Sequence, residues 1–471
     1  DFNKINAVLR YNQNDAQNHF NVSVMAYQGY WNATDQIAQR AVDNGLISRF
    51  GAHDPTDGGE ASRYSLSAAW QRTQDNSVTK ANVYIIKHKL DLFSNFTYFL
   101  DDPVNGDQFA QPDQRTLSAF NASHAWLGDW GGRSVENTVG MQFQNDNIVN
   151  GLLSTRERQR LSTTREDHIV ETSAALYLEN RLQWSEKFRT VAGLRGDVYR
   201  FKVASDNSAN SGEAYDRILN PKLSLIFGPW AKTEYYINLG GGFHSNDARG
   251  TTLAVDPKTG LPADKVPPLV RSRGYEAGLR TALAPGLQSS LTVYQLDFDS
   301  ELLFLGDAGT TEASRPSRRT GVEFANFYKP TSWLTLDADY AFARARFADD
   351  DPAGNRIPGA VEGVASVSAA VDHLGPWFGS LQLRYFGPRP LLEDNSIRSK
   401  STTLLNGRIG YQINKASRVA LEGFNLLDSK DNAIDYFYTS RLPGEPAGGV
   451  DDIHFHPIEP RSFRVSLRVN L

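Results

Sequence analysis

The chain has 471 residues, with 49 Lys plus Arg against 54 Asp plus Glu, a net charge of −5, and no cysteine. That balance gives no broad basic field of the kind nucleic-acid binding needs, and without thiols neither a disulfide framework nor a cysteine-based zinc or redox site can form. No window approaches the ~18 apolar residues of a membrane helix, the longest candidates being stubs such as Leu302-Leu303-Phe304-Leu305.

From Asn3–Tyr11 onward the chain repeats one texture, short alternating segments separated by turn or loop residues, and no Pro-rich or Gly/Ser-rich linker divides it. One architecture is therefore expected over residues 1–471. Tyr64, Leu66, Ala68 and Trp70 share one face of a period of two. Tyr235, Ile237 and Leu239 oppose Glu234, Tyr236 and Asn238, and Leu381, Leu383 and Tyr385 oppose Ser380, Gln382 and Arg384. In the last segment Phe463, Val465, Leu467, Val469 and Leu471 alternate with Ser462, Arg464, Ser466, Arg468 and Asn470. A period of two is that of strands, and the pattern predicts roughly nineteen, many longer than the about 9–11 residues that span a bilayer.

Short turns are expected near Asn12–Asn18, Arg72–Ser77, Gly128–Gly132, Gln183–Lys187, Gly228–Lys232, Ala282–Gly286, Lys329–Ser332, Leu374–Trp377 and Asn414–Ser417. Between them lie long polar stretches, notably Trp31–Glu60, Asp91–Asp113, Asn145–Arg165, Ser245–Pro268 and Leu427–Pro460. Short turns on one rim and long loops on the other are the rhythm of an outer-membrane barrel. Trp70, Trp126, Trp130, Trp184, Trp230, Trp333 and Trp377 fall in or beside the short turns, as a girdle at one membrane interface requires. The fold class is all-β, a transmembrane antiparallel β-barrel. If the C-terminus lies in the periplasm, the first strand runs downward and the count is odd. Bacterial barrels have even counts, about 22 where a plug fills the lumen, so three strands and a plug are expected to be missing before Asp1.

Gly423-Phe424-Asn425-Leu426-Leu427-Asp428 resembles the "N-L-F-D" strand end of TonB-dependent outer-membrane receptors, with Leu427 where Phe is usual. Gly193-Leu194-Arg195-Gly196-Asp197 resembles their "G-L-R-Y-D" strand, and Asn220-Pro221-Lys222 followed by Gly240-Gly241-Gly242-Phe243 resembles a hairpin of theirs. Pro460-Arg461 opening the last strand is similar too. Two departures are the terminal Leu471 in place of Phe or Trp, and the lack of anything resembling the energy-coupling box and plug with which mature members begin.

The resemblance implies a receptor and active transporter that imports a scarce solute, whether siderophore, metal chelate, vitamin or saccharide. Its drive comes from the TonB–ExbB–ExbD complex through the plug. It implies a monomer in a Gram-negative outer membrane, touching the bilayer and lipopolysaccharide, with no cofactor and no catalytic role. A passive porin is the alternative and an outer-membrane barrel enzyme a third.

The most pointed candidate chemistry is Asp451-Asp452-Ile453-His454-Phe455-His456, because alternate histidines on an extended segment project to one side and imidazole with carboxylate suits Zn, Cu or Ni. His454 and His456 are thus weak metal candidates. His244, Asp247 and Arg249 form a second polar group, and His53 a third contributor. The expectation is one extracellular rim, built by His53, His244, Asp247, Arg249, Asp451, His454 and His456, that contacts the solute. Glu171, Glu179, Arg181, Asp297, Asp299, Asp337, Asp339, Arg464 and Arg468 are expected to face a polar lumen. Asp350-Asp351 only weakly suggests a Ca²⁺ loop, since no EF-hand spacing follows.

Overall fold

The computed structural model describes residues 2–305 and 310–470. Strands of opposite direction follow one another along the chain and build a single antiparallel sheet of nineteen. It opens with Phe2–Asn14 paired to Asn18–Asn32 and closes with Ser462–Val469 paired to Ser417–Phe424. Among the described residues no ladder joins the first strand to the last.

Two neighbouring cross-strand rows show why the sequence folds this way. Asn21, Ala69, Asn82, Asn121, Gln142, Ala175 and Asp197 are successive partners across seven strands, and they line a cavity of about 720 Å³. One residue further along, Val22, Ala68, Val83, Phe120, Phe143, Ala174 and Val198 are successive partners on the opposite face. A one-residue step flips every side chain to the other side, so the polar row faces the lumen and the apolar row the lipid. Glu171, Glu179, Arg181, Asp337, Asp339, Arg464 and Arg468 share the lumen-facing parity; Arg464 pairs there with Glu422 at 2.7 Å.

The short turns lie where the alternation placed them. Asp129 Oδ1 accepts from the Gly132 amide at 2.8 Å, and Gly131 and Gly132 take φ of 61° and 80°, which a side chain rarely tolerates. The seven girdle tryptophans are all exposed on the protein surface. Trp184 Nε1 donates to Thr190 Oγ1 at 2.9 Å, and Trp130 stacks edge-on against it at 6.1 Å.

Three expectations need correction. Asn145–Arg165 is no loop: strands Ser134–Arg156 and Gln159–Ser185 continue as a ladder to a two-residue turn, Glu157-Arg158, with φ of 51° and 64°. Above the bilayer both faces are wet, so pairing persists without amphipathic alternation. Asp297 and Asp299 face outward, because Asp297 has the parity of lipid-facing Leu291 and Val293 and pairs with Arg318, while Asp299 pairs with Arg273. The stretch Leu427–Pro460 contains a hairpin, Asn432–Ser440 with Val450–Pro457. As for Asp350-Asp351, its neighbourhood is an ion-paired turn in which Asp349 and Asp351 meet Arg315.

Among the described residues, buried apolar clusters form where loops fold back, as in Ala38, Ala41, Tyr98 and Leu442, or Ile148, Ile169, Phe201, Val203 and Ala248. The strand Ile37–Ala38, in the loop after the second strand, adds itself to Val450–Pro457, in the loop before the last. Loops near the two ends of the sheet therefore share one cap on the long-loop rim.

Candidate functional site

The cap is assembled from three loops. Ile37–Ala38 leads into the helix Gln39–Asp43, and Arg40 on that helix reaches the last loop. Its Nε and Nη2 donate to the two oxygens of Glu445, each at 2.8 Å, and its Nη1 meets Asp452 Oδ2 at 3.3 Å. Nη2 also donates to Ser440 O and Oγ, both at 3.0 Å. From the loop between residues 95 and 108, Tyr98 donates its hydroxyl to Gln36 O at 2.7 Å and accepts from the Ala38 amide at 3.1 Å.

Tyr98 brings two of the expected histidines into one aromatic column. His53 lies 4.4 Å from its ring and His454 6.1 Å, and His454 stacks on Tyr438 at 3.8 Å. His454 is wholly buried. Its Nδ1 lies 3.1 Å from Asp452 O, which can only accept, so Nε2 is the acceptor for Ser440 Oγ at 2.7 Å. Burial, with the Arg40 charge nearby, pushes its pKa down to about 3. With both nitrogens taken, His454 holds the cap together and presents no lone pair to a ligand.

The other members sit differently. His456 is half-buried, edge-on to Tyr436 at 6.2 Å, and burial lowers its pKa. Asp451 is exposed and accepts from Thr439 Oγ1. Among the described residues His53 Nε2 has no hydrogen-bond partner, and burial followed by repulsion from Arg40 lowers its pKa to about 4.

His244, Asp247 and Arg249 lie elsewhere. His244 is the penultimate residue of the strand Thr233–Ser245, its ring 6.1 Å from Phe298. Asp247 caps the helix Ala248–Thr252 by accepting from the Arg249 amide at 2.9 Å, and it grips the Arg249 guanidinium at 2.6 Å. Ala248 packs onto Ile148, Ile169, Phe201 and Val203. The predicted single rim is therefore two groups, and among the described residues no hydrogen bond, ion pair or ring contact joins them. Nor do three His, Asp or Glu side chains converge as a metal cage among those residues.

Sequence reading missed Arg40, Tyr98 and a buried polar knot beneath the cap. There Gln108 Nε2 donates to Asp54 Oδ2 at 3.0 Å, Thr56 Oγ1 at 2.8 Å and Asp57 Oδ1 at 3.2 Å. Burial, then repulsion from Asp35 and Asp54, raises the Asp57 pKa to about 9, and burial raises Asp35 to about 6. Arg158, at the tip of the long hairpin, closes the knot through Thr56 O at 2.6 Å and Asn32 Oδ1 at 2.9 Å. Only a polar or charged side chain inside a polar loop marks these positions in sequence, and that signal is common to most exposed loops.

An apolar outer face, a polar lumen, short turns on one rim and interlocked loops on the other define an outer-membrane receptor barrel. Residues 1–426 match the family described as TonB dependent receptor-like, beta-barrel, and the chain belongs to it. This is a family of transport receptors of Gram-negative outer membranes, whose members interact with TonB and bind small solutes. The chain is 22% identical over 298 residues to the metal-pseudopaline receptor CntO of Pseudomonas aeruginosa, covering 59% of this chain and 40% of that protein. It thus spans less than half the length of that curated relative. The ferric citrate transporter FecA superposes with a TM-score of 0.79 at 15% identity, over 99% of this chain and 70% of that one. The ferric yersiniabactin uptake receptor FyuA of Yersinia pestis gives 0.75 at 15% identity over 99% and 70%, and the copper transporter OprC 0.71 at 15% over 99% and 72%. These structural likenesses show the fold.

Proposed function

We propose that this chain is the barrel of an outer-membrane receptor that captures a metal chelate at its extracellular cap and delivers it to the periplasm with TonB-coupled energy. The observation that carries this reading is the clasp of Arg40 on Glu445, Asp452 and Ser440, which ties loops from the two ends of the sheet over the lumen. A passive channel works best with an open mouth; a clasped one suits capture and gated release. The relatives whose names specify a cargo handle metals or metal chelates. Asp451, His456 and His53 are the cap residues we assign to solute contact, with His244, Asp247 and Arg249 on the inner wall below.

The test is uptake of radiolabelled ferric and other metal chelates by cells carrying the intact receptor, with and without TonB. Saturable uptake that vanishes without TonB is expected. Uptake that persists and rises linearly with concentration replaces this reading with the passive porin.

A further inference from the structure

Four guanidiniums of the upper inner wall each hold one carboxylate: Arg115 grips Asp113 through bonds of 2.8 and 2.7 Å, Arg165 grips Asp167, Arg195 grips Asp197 at 2.7 Å, and Arg249 grips Asp247 at 2.6 Å. Between them stand two acids with no such partner. Asp146 and Glu171 are direct cross-strand partners on the lumen-facing parity, and among the described residues neither has an ion pair. Asp146 is 6% exposed; its Oδ2 accepts from Gln144 Nε2 at 2.7 Å, and its Oδ1 has no partner among the described residues. A buried carboxylate oxygen without a donor costs free energy until a ligand supplies one. Burial, then repulsion from Asp146 and Asp247, pushes the Glu171 pKa up to about 7, which the already engaged Arg115 and Arg249 offset only in part.

The pair sits between a cavity and a roof. In the next lumen-facing row below, Gln144 and Ser173 are partners that line the cavity of about 720 Å³, together with Tyr84, Tyr177 and Tyr199. In the next row above, Ile148 and Ile169 are partners on which Ala248 packs. Asp146 stands 146 − 134 = 12 residues above Ser134 at the short-turn end of its strand. At ~3.3 Å per residue and ~40° tilt that is roughly 30 Å, above the about 25 Å of a barrel's apolar band. The pair therefore faces the extracellular end of the lumen, where a solute arrives.

We infer that Asp146 and Glu171 bind a primary ammonium group carried by the transported solute. The inference rests on the transport reading above and names the chemistry of its cargo, a chelate with a free amine. Directly opposed residues have Cβ atoms about 5 Å apart, so one ammonium, with three donors, can bond both carboxylates. The tyrosines of the cavity offer ring faces that favour a cation. Two carboxylates do not cage a bare divalent ion, and among the described residues no third His, Asp or Glu completes a site. Each bond from an ammonium to a carboxylate changes affinity by roughly tenfold to a hundredfold.

The test uses the intact receptor purified in detergent and titrated at pH 8 with dansylcadaverine, which carries one primary ammonium, or with its N-acetyl derivative, which carries none. The variants are Glu171→Gln, Asp146→Asn/Glu171→Gln and, as a control for the general field of the lumen, Glu179→Gln, each checked for folding by heat-modifiable migration. Wild type is expected to bind the ammonium probe at least about tenfold more tightly than the acetylated one, by the same figure. Glu171→Gln should lose part of that preference, the double variant all of it, and Glu179→Gln none. Equal binding of the two probes by wild type overturns the inference. So does an unchanged preference in Glu171→Gln and the double variant, which marks a pair neutralised by a shared proton or by a cation of its own chain. An equal loss in Glu179→Gln overturns it too, because it marks a diffuse field. The assay involves neither cells nor TonB, so its failure leaves the transport reading standing, and uptake independent of TonB leaves the ammonium preference measurable.

Discussion

Arg40→Met tests the clasp. The wild-type side chain is 13% exposed and its partners Glu445 and Asp452 21% and 18%. Removing one member of a fully buried pair costs about 3–5 kcal/mol, and an exposed pair contributes about 0–1. With acids about one-fifth exposed, the change is expected to destabilise the cap by about 2–3 kcal/mol, mostly because Glu445 loses both of its charge-assisted donors. The effect is local, since the barrel strands below keep their ladders. Hydrogen exchange reads it directly: amides of Asn432–Ser440 and Val450–Pro457 should exchange about 30-fold faster or more, while those of Val83 and Phe120 are unchanged. Adding Glu445→Met should recover much of the loss, because an apolar pair leaves no orphaned charge. Unaltered exchange in the hairpin of Arg40→Met refutes the clasp.

Asp57→Asn should stabilise the cap at alkaline pH. An acid whose folded pKa of about 9 lies above its unfolded value of about 3.9 binds more protons when folded, so its contribution is fully present below 3.9 and lost as pH rises towards 9. The variant should match wild type at pH 4 and exchange more slowly at pH 8; equal exchange at both refutes the buried neutral acid. His454 has the opposite sign: its folded pKa of about 3 lies below the unfolded 6.5, so cap stability is present above 6.5 and falls on acidification, and a cap no more open at pH 4.5 than at pH 7.5 removes this account. Val83→Arg, on the lipid row, should lower folding stability in bilayers by about 2–4 kcal/mol, and Asn82→Arg, on the lumen row, by far less; similar losses contradict the register. His456→Ala should weaken chelate uptake about tenfold with cap exchange unchanged, the equivalent of one lost hydrogen bond of about 1.4 kcal/mol; unchanged affinity removes His456 from the contact set.

The wall was legible because lipid and lumen impose opposite demands on successive residues. Wherever a strand crosses the bilayer, as at Val83 beside Asn82, the alternation reports register directly. The turns were legible for a related reason: on the short-turn rim the chain must reverse within a few residues, so Gly131-Gly132 and Gly375 appear where the backbone takes a positive φ. The signal stops at the headgroups. Asp297 reads as lumen-facing if charge is taken to mean inside, yet it is outward because Arg273 and Arg318 flank it there. Above the bilayer polarity no longer distinguishes the two faces, and only parity counted upward from the apolar band does.

In the cap even parity is insufficient. His454 and His456 do project to one side of an extended segment, as their spacing implies, but the same strand receives Ile37–Ala38 on its free edge at His454 and Phe455. Tyr98 and Tyr438 then cover the His454 ring, and the two histidines acquire opposite roles, one buried with both nitrogens bonded, the other half-open. Only the Asp452 carbonyl lies near His454 in sequence; Ile37–Ala38 and Tyr98, which cover it, are distant, and Arg40, on the helix after Ile37–Ala38, lies 405 residues from Glu445 and 412 from Asp452. Closing so long a loop costs little because the strand ladders already carry these loops to one rim, so the ordering entropy of the cap is small and a handful of charge-assisted bonds suffices to fix it. The chemistry that selects a solute is therefore set by contacts between loops that the barrel brings together, and those contacts leave no local pattern in the chain.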